Sequence, residues 1–190
     1  MRLMQLVTAC LLATIAMAVV MPSKADAFFR VGAEVRWVPL GVESMDQEGE
    51  TFEDTQRELE GIGLGIRALL GFEYLSLGAK ANLTHHSFRN DGLNYTQFDV
   101  NAHLRSGMPL TRIAFFLEAG PSLALDIGEV GYNGAVGAEV DVLGWPLLDV
   151  NLGLALQYAH VPIGAGPSEI RINEGFRGMV ILGVDVSLFD

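Results

Sequence analysis

Eleven ionisable side chains carry the chemistry that this sequence could support. Arg30, Glu34, Arg36, Arg67, Lys80, Asp99, Arg105, Glu118, Glu139, Asp141 and Asp185 stand, nearly all of them, between two apolar neighbours, and Asp149 and His103 follow the same pattern. Acids and bases set singly into apolar sequence suit two kinds of chemistry. One is an ion-pair network filling an interior, since a buried charge is tolerable only when paired and hydrogen-bonded. The other is a narrow, gated path for ions. The paired network is the simpler expectation and the one carried forward.

Three further constellations have chemical content. His85-His86-Ser87 sets an imidazole two residues from a hydroxyl, and Asp99 follows. These are the residue types of a base, a nucleophile and an orienting acid, which must share one face within hydrogen-bond reach. Residues Pro39–Glu60 carry Glu43, Asp46, Glu48, Glu50, Glu53, Asp54, Glu58 and Glu60 against Arg57 alone. Such a segment could attract divalent cations or a basic partner, but it lacks the ordered Asp and Gly spacing of a calcium loop. A solvated external loop is expected. His85, His86 and His160 are expected as neutral residues near one rim. No ordered His/Glu spacing supports zinc, and no metal or cofactor is expected.

What must position these groups is legible in the hydropathy. Half of the 190 residues are hydrophobic, and the mean hydropathy is +0.33. Yet beyond the N-terminal segment no run approaches the ~18 unbroken apolar residues of a spanning helix. The N-terminus reads as a signal peptide. Arg2 supplies its positive end, Leu6 to Met21 its apolar stretch, and Ala25-Asp26-Ala27 a cleavage pattern, so residues 1–27 are expected to be removed and 28–190 to form the mature domain. The only cysteine, Cys10, leaves with that segment, so neither a disulfide nor a thiol nucleophile is available. The mature chain then holds 10 basic and 22 acidic residues, a net charge of −12. That balance excludes nucleic acid as a partner, which needs basic surface.

In the mature chain, apolar residues recur at every second position. A strand points successive side chains to opposite faces. Val31, Ala33, Val35 and Trp37 thus oppose Arg30, Gly32, Glu34 and Arg36. Leu148, Val150, Leu152, Leu154 and Leu156 oppose Asp149, Asn151, Gly153, Ala155 and Gln157. Eight such segments can be counted, each of roughly the length a tilted strand needs to cross a bilayer. An even number lets an antiparallel sheet close, and closure matters because hydrocarbon cannot satisfy a free sheet edge. The polar row is rich in Gly, Ala and Ser with charges of both signs, which suits the crowded interior of a narrow barrel. A soluble barrel would place its apolar row inside. The reading is therefore an all-β, eight-stranded antiparallel up-and-down transmembrane barrel, with a lumen too narrow for a general pore.

Connections alternate in length. Gly71–Tyr74, Ser106–Thr111 and Leu143–Leu147 are short; Pro39–Glu60, His85–Asn94 and Ala159–Gly175 are long, and Asp126–Asn133 is intermediate. Short periplasmic turns and longer external loops are the pattern of outer-membrane barrels. Aromatics are expected at the two interfaces: Trp37, Tyr95 and Tyr158 near the outer rim, and Phe72, Tyr74 and Trp145 near the inner rim.

On these features the mature chain resembles the small eight-stranded outer-membrane barrels of the OmpA/OmpX-like type. Its most specific local piece is Phe116-Leu117-Glu118-Ala119-Gly120-Pro121. The resemblance implies an outer-membrane location, contact with membrane lipid and lipopolysaccharide, and insertion by barrel-assembly machinery that reads a terminal aromatic residue. Here Phe189 is penultimate, before Asp190. It also implies a non-enzymatic structural, adhesion or surface role through external loops, with the acidic Pro39–Glu60 segment as a candidate extracellular partner site. Some barrels of this size are similar to lipid A deacylases, whose His-x-Ser pair and acid lie on the lipid-facing wall. In this chain His85 and Ser87 fall in the outward row and Asp99 in the inward row, which argues against that activity.

Overall fold

The eight segments close into one antiparallel barrel in the computed structural model, each strand pairing with its neighbour in sequence and β8 returning to β1. The strands are β1 (Phe28–Gln47), β2 (Arg57–Phe72), β3 (Leu75–Phe88), β4 (Asn94–Gly107), β5 (Ile113–Ala124), β6 (Glu129–Trp145), β7 (Leu148–Gly166) and β8 (Glu169–Phe189). The structure describes residues 28–47, 57–72, 74–89, 94–108, 110–126, 128–145, 147–166 and 169–189. The expected signal peptide, and residues 48–56 of the expected acidic loop, lie outside the described residues.

The two faces of the sheet are inverted relative to a water-soluble protein. On the outer wall Ile62, Leu64, Ile66 and Leu154 are each more than 60% exposed, while Arg36, Lys80, His103 and Glu118 inside are at most 2% exposed. A closed sheet wrapped in such an apolar belt is stable only where hydrocarbon surrounds it. The chain is a transmembrane barrel of the outer-membrane type. The start of β1, the end of β8 and the short β2–β3, β4–β5 and β6–β7 connections lie at one end, the inner rim. The β4–β5 turn closes with Leu110 in the left-handed region (φ 64), and Gly107 N donates to Tyr74 O at 2.8 Å.

The strands run further beyond the outer rim than the sequence pattern suggests. Most of the expected loops Pro39–Glu60 and Ala159–Gly175 is strand. β1 continues to Gln47, pairing Glu43 with Gly175 and Gln47 with Arg171, and β7 pairs with β8 up to Gly166 and Glu169. The cause of the misreading in β1 is a bulge between Val38 and Gly41. Before it the even residues Glu34, Arg36 and Val38 are buried; after it Gly41 is buried and Val42 exposed. An extra residue shifts the parity of a strand and hides its continuation. Pro39, which cannot donate to the ladder, sits inside that irregularity.

The charged lumen as candidate functional site

Inward-facing side chains fill the lumen in tiers. Nearest the inner rim, Arg30 Nη1 stands 3.4 Å from Asp149 Oδ2. Arg105 Nε donates to Glu139, and its Nη2 reaches Asp141 Oδ1 at 3.4 Å. Arg67 grips Asp185 with two N–H groups, Nε to Oδ1 at 2.7 Å and Nη2 to Oδ2, and donates from Nη1 to Glu139 Oε2 at 2.9 Å. Asn151 Nδ2 adds a bond to Asp185 Oδ2 at 2.9 Å. Arg67 therefore ties β2 to β6 and β8 through the lumen rather than along the sheet.

The middle tier is a closed ring of four charges. Arg36 donates from Nε to Glu34 Oε1 at 2.5 Å and from Nη2 to Glu118 Oε1 at 2.8 Å. Lys80 Nζ lies 2.9 Å from Glu34 Oε2 and 3.0 Å from Glu118 Oε2. Each cation thus touches both carboxylates, and each carboxylate both cations. His103 Nδ1 approaches Glu118 Oε2 at 3.3 Å, and its ring stacks on Phe116 at 5.4 Å between centroids. Phe116, apolar but inward, also lies 5.4 Å beneath Lys80 Nζ. It packs against the ring rather than facing lipid.

The outer tier centres on Arg177, which the sequence reading overlooked. It is fully buried. Its Nη2 donates to Tyr95 Oη at 2.6 Å, and its Nη1 to Gln97 Oε1 at 2.7 Å and His86 Nε2 at 3.2 Å. Gln97 Nε2 and Ser122 Oγ each donate to Asp99 Oδ1 at 2.6 Å. Around this tier Val38, Leu59, Phe88, Ala124, Ala159 and Val161 are at most 2% exposed and pack in one apolar cluster with Tyr95 and Met179.

Two expected positions are corrected here. Tyr95 is not an interface aromatic: it is 3% exposed, points inward and stacks on His86 at 4.9 Å. It follows Asn94 at the start of β4 in the same odd-numbered inward row as Gln97 and Asp99, so parity overrides proximity to the rim. His86 is likewise a lumen residue, 1% exposed, while His85 beside it faces out. The other expected aromatics lie on the outer wall, with Trp37, Tyr74 and Trp145 exposed and Phe72 and Tyr158 half-buried. Arg177 could have been found by carrying the odd-numbered inward row of β8 back past Met179. What hid it is the outward row there, where Glu174 interrupts the apolar pattern above the hydrocarbon.

Among the described residues the buried acidic and basic side chains balance in number. Glu34, Asp99, Glu118, Glu139 and Asp185 face Arg36, Arg67, Lys80, Arg105 and Arg177. Five against five leaves the acidic excess of the mature chain to the rims and the exterior. An isolated buried ion costs several kcal/mol, and geometry as closed as the middle ring is what makes it tolerable. Among the described residues, no group of three or more His, Cys, Asp or Glu side chains is placed to hold a metal ion. His85, Ser87 and Asp99 do not assemble either. His85 lies on the outer wall with its Nδ1 3.2 Å from Thr96 Oγ1, whereas Asp99 is held in the lumen by Gln97 and Ser122.

On the outer wall, β6, β7 and β8 carry an aromatic collar. Tyr132 stacks on His160 at 4.8 Å, and Tyr158 packs on Phe176 at 5.3 Å. Glu174 Oε2 accepts from Tyr158 Oη at 3.3 Å and lies 3.0 Å from His160 Nδ1. A carboxylate on the outward face marks where hydrocarbon gives way to the polar interface.

No family model and no curated protein matches the chain. Solved structures to which the chain is similar include Neisserial surface protein A, 15% identical with a TM-score of 0.45, covering 83% of this chain and 96% of that one. They include Ail, the attachment invasion locus protein of Yersinia pestis, 10% identical with a TM-score of 0.40, covering 86% and 99%. The outer membrane protease OmpT from Escherichia coli is 10% identical with a TM-score of 0.37, covering 86% and 96%.

Proposed function

We propose that this barrel is a non-enzymatic surface protein whose lumen is a structural brace and whose working part is the raised β7–β8–β1 sheet beyond the outer rim. The observation that carries the reading is the division of labour along the barrel axis. Inside, charges of opposite sign pair with one another across the lumen and tie strands far apart in the chain. Outside, β8 continues to pair with β7 on one side and β1 on the other for several residues past the collar. Where these continuations run past β2 and β6, their edges present unpaired backbone groups that another chain can use. The acidic sequence between Pro39 and Glu60 follows β1 in the chain and favours a partner of basic surface.

The test uses the purified, refolded protein in vesicles. Poly-lysine of defined length should bind wild-type vesicles, weaken steeply with added salt, and bind poorly when Glu48, Glu50, Glu53 and Asp54 are all replaced by their amides. Equal binding by both proteins overturns the reading of this acidic sequence as a partner site. In planar bilayers the same protein should give no unit conductance steps; reproducible steps would favour a channel instead.

A further inference from the structure

We infer that the aromatic collar on β6, β7 and β8 reads arginine: it takes the guanidinium of a basic protein partner against the rings of Tyr132 and Tyr158, beside the Glu174 carboxylate. The inference deepens the partner reading above and rests on it. The collar stands where that partner would lie. Tyr132 on β6 pairs with His160, the last residue of β7 that β6 reaches, and His160 pairs with Glu174 on β8. Glu174 in turn pairs with Ser44 on β1. The raised β7–β8–β1 sheet begins at this row, so a chain lying along it passes the collar.

The chemistry of the collar selects a flat cation. Aromatic faces carry the negative side of the ring quadrupole and attract cations. The rings of Tyr132 and Tyr158 have centroids 6.4 Å apart and planes inclined at 39°, and Phe176 continues the row beyond Tyr158. Tyr132 is 54% exposed. A carboxylate is fixed among these rings. Glu174 Oε2 accepts from Tyr158 Oη and is held by His160 Nδ1, whose ring stacks on Tyr132. The negative charge thus stands one ring away from Tyr132.

Below Tyr132 the wall is open. Gly134, the next outward residue of β6, pairs with Tyr158 on one side and with Ala119 on the other. A Cβ built on Gly134 would lie 3.5 Å from Glu118 O and 3.9 Å from Ala119 Cβ, so no neighbouring side chain fills the place of its own. A guanidinium suits this recess because it lies flat on a ring while the N–H groups of its edge turn to a carboxylate. An ammonium is a compact, strongly hydrated point charge and gains less from ring faces.

The test compares labelled arginine and lysine homopeptides of equal length, titrated against the barrel refolded in maltoside micelles, whose sugar heads supply no competing cation. Fluorescence anisotropy should show wild type binding the arginine peptide about threefold or more tighter than the lysine peptide. Gly134→Leu, whose added Cβ meets only ordinary contacts, fills the recess and should abolish that preference. Tyr132→Leu should abolish it too, and Tyr132→Phe, which keeps the ring, should retain it. Replacing Glu48, Glu50, Glu53 and Asp54 by their amides should weaken both peptides and leave the ratio between them unchanged, so the acidic sequence and the collar can fail separately. Folded protein is recognised by its altered gel migration before boiling, and either leucine variant serves should the other not fold. Equal affinity of wild type for the two peptides, a preference that survives in a folded leucine variant, or one that disappears with the amides overturns the proposal.

Discussion

Arg36 Nη2 donates to Glu118 Oε1 at 2.8 Å across the lumen, although the two residues stand 82 positions apart in the chain. Glu118 is also reached by Lys80 and His103, so a single carboxylate from β5 anchors cations from β1 and β3. Breaking a buried pair by removing one partner leaves an uncompensated charge and typically costs about 3–5 kcal/mol. Glu118→Ala should therefore lower the unfolding free energy of the barrel by about that amount. A urea titration in vesicles, followed by the shift between folded and unfolded gel bands, measures it. Replacing Glu34, Arg36, Lys80 and Glu118 together by apolar residues should cost less than Glu118→Ala alone, because no orphaned ion of the ring remains. A quadruple variant weaker than the single one contradicts the ring as the source of the loss.

Tyr95 supplies a second test, because its two possible positions predict different results. At an interface, Tyr95→Phe would be close to neutral. In the lumen it removes the acceptor for Arg177 Nη2 at 2.6 Å. A hydrogen bond to a charged group contributes about 1.5–3 kcal/mol, and Tyr95→Phe should lose an amount in that range by the same titration. Trp37→Phe, on the outer wall, should lose much less.

The strand count, the closure and the identity of nearly every inward charge follow from period-two alternation, because one face meets hydrocarbon and has no freedom to be polar. The pattern fails where that constraint stops. Towards the outer rim the outward row of β8 reads Gly178, Phe176 and Glu174, so the unbroken apolar alternation that marks Asp185 thins out at Arg177. The bulge at Pro39 reverses the parity of β1, so Gly41 and Val42 no longer read as a continuation of Arg36 and Trp37. Pairing across the lumen is a different matter. That Arg67 meets Asp185 and Glu139, rather than Glu34, depends on barrel closure and strand stagger, and no local spacing encodes it.

The outer wall should respond to charge by depth. Ile66 is 65% exposed near the middle of the apolar belt, and Val130 is 64% exposed next to Glu129 at the outer start of β6. An arginine facing lipid at the midplane costs about 2–4 kcal/mol, falling to about 0–1 near an interface. Ile66→Arg should therefore destabilise strongly and Val130→Arg barely, although both residues are almost equally exposed. Equal losses would mean that hydrocarbon does not surround β2 as described.

The lumen also has a steric prediction, at Gly183 and Asn151, which face each other across β7 and β8. A methyl group on Gly183 would collide with Asn151 Oδ1 and lie 3.1 Å from Cγ and 3.3 Å from Nδ2 of the same side chain. All three contacts belong to one amide, and that amide donates to Asp185 at 2.9 Å. Gly183→Ala should push the amide off Asp185 and cost about 1–3 kcal/mol, as overpacking typically does. Asn151→Ala alone loses the bond to Asp185 but leaves space. The two changes act on the same atoms, so the double variant should be more stable than the sum of the single losses requires, with a coupling of about 0.5–3 kcal/mol. Strict additivity in the urea titration would show that Asn151 does not occupy the space above Gly183.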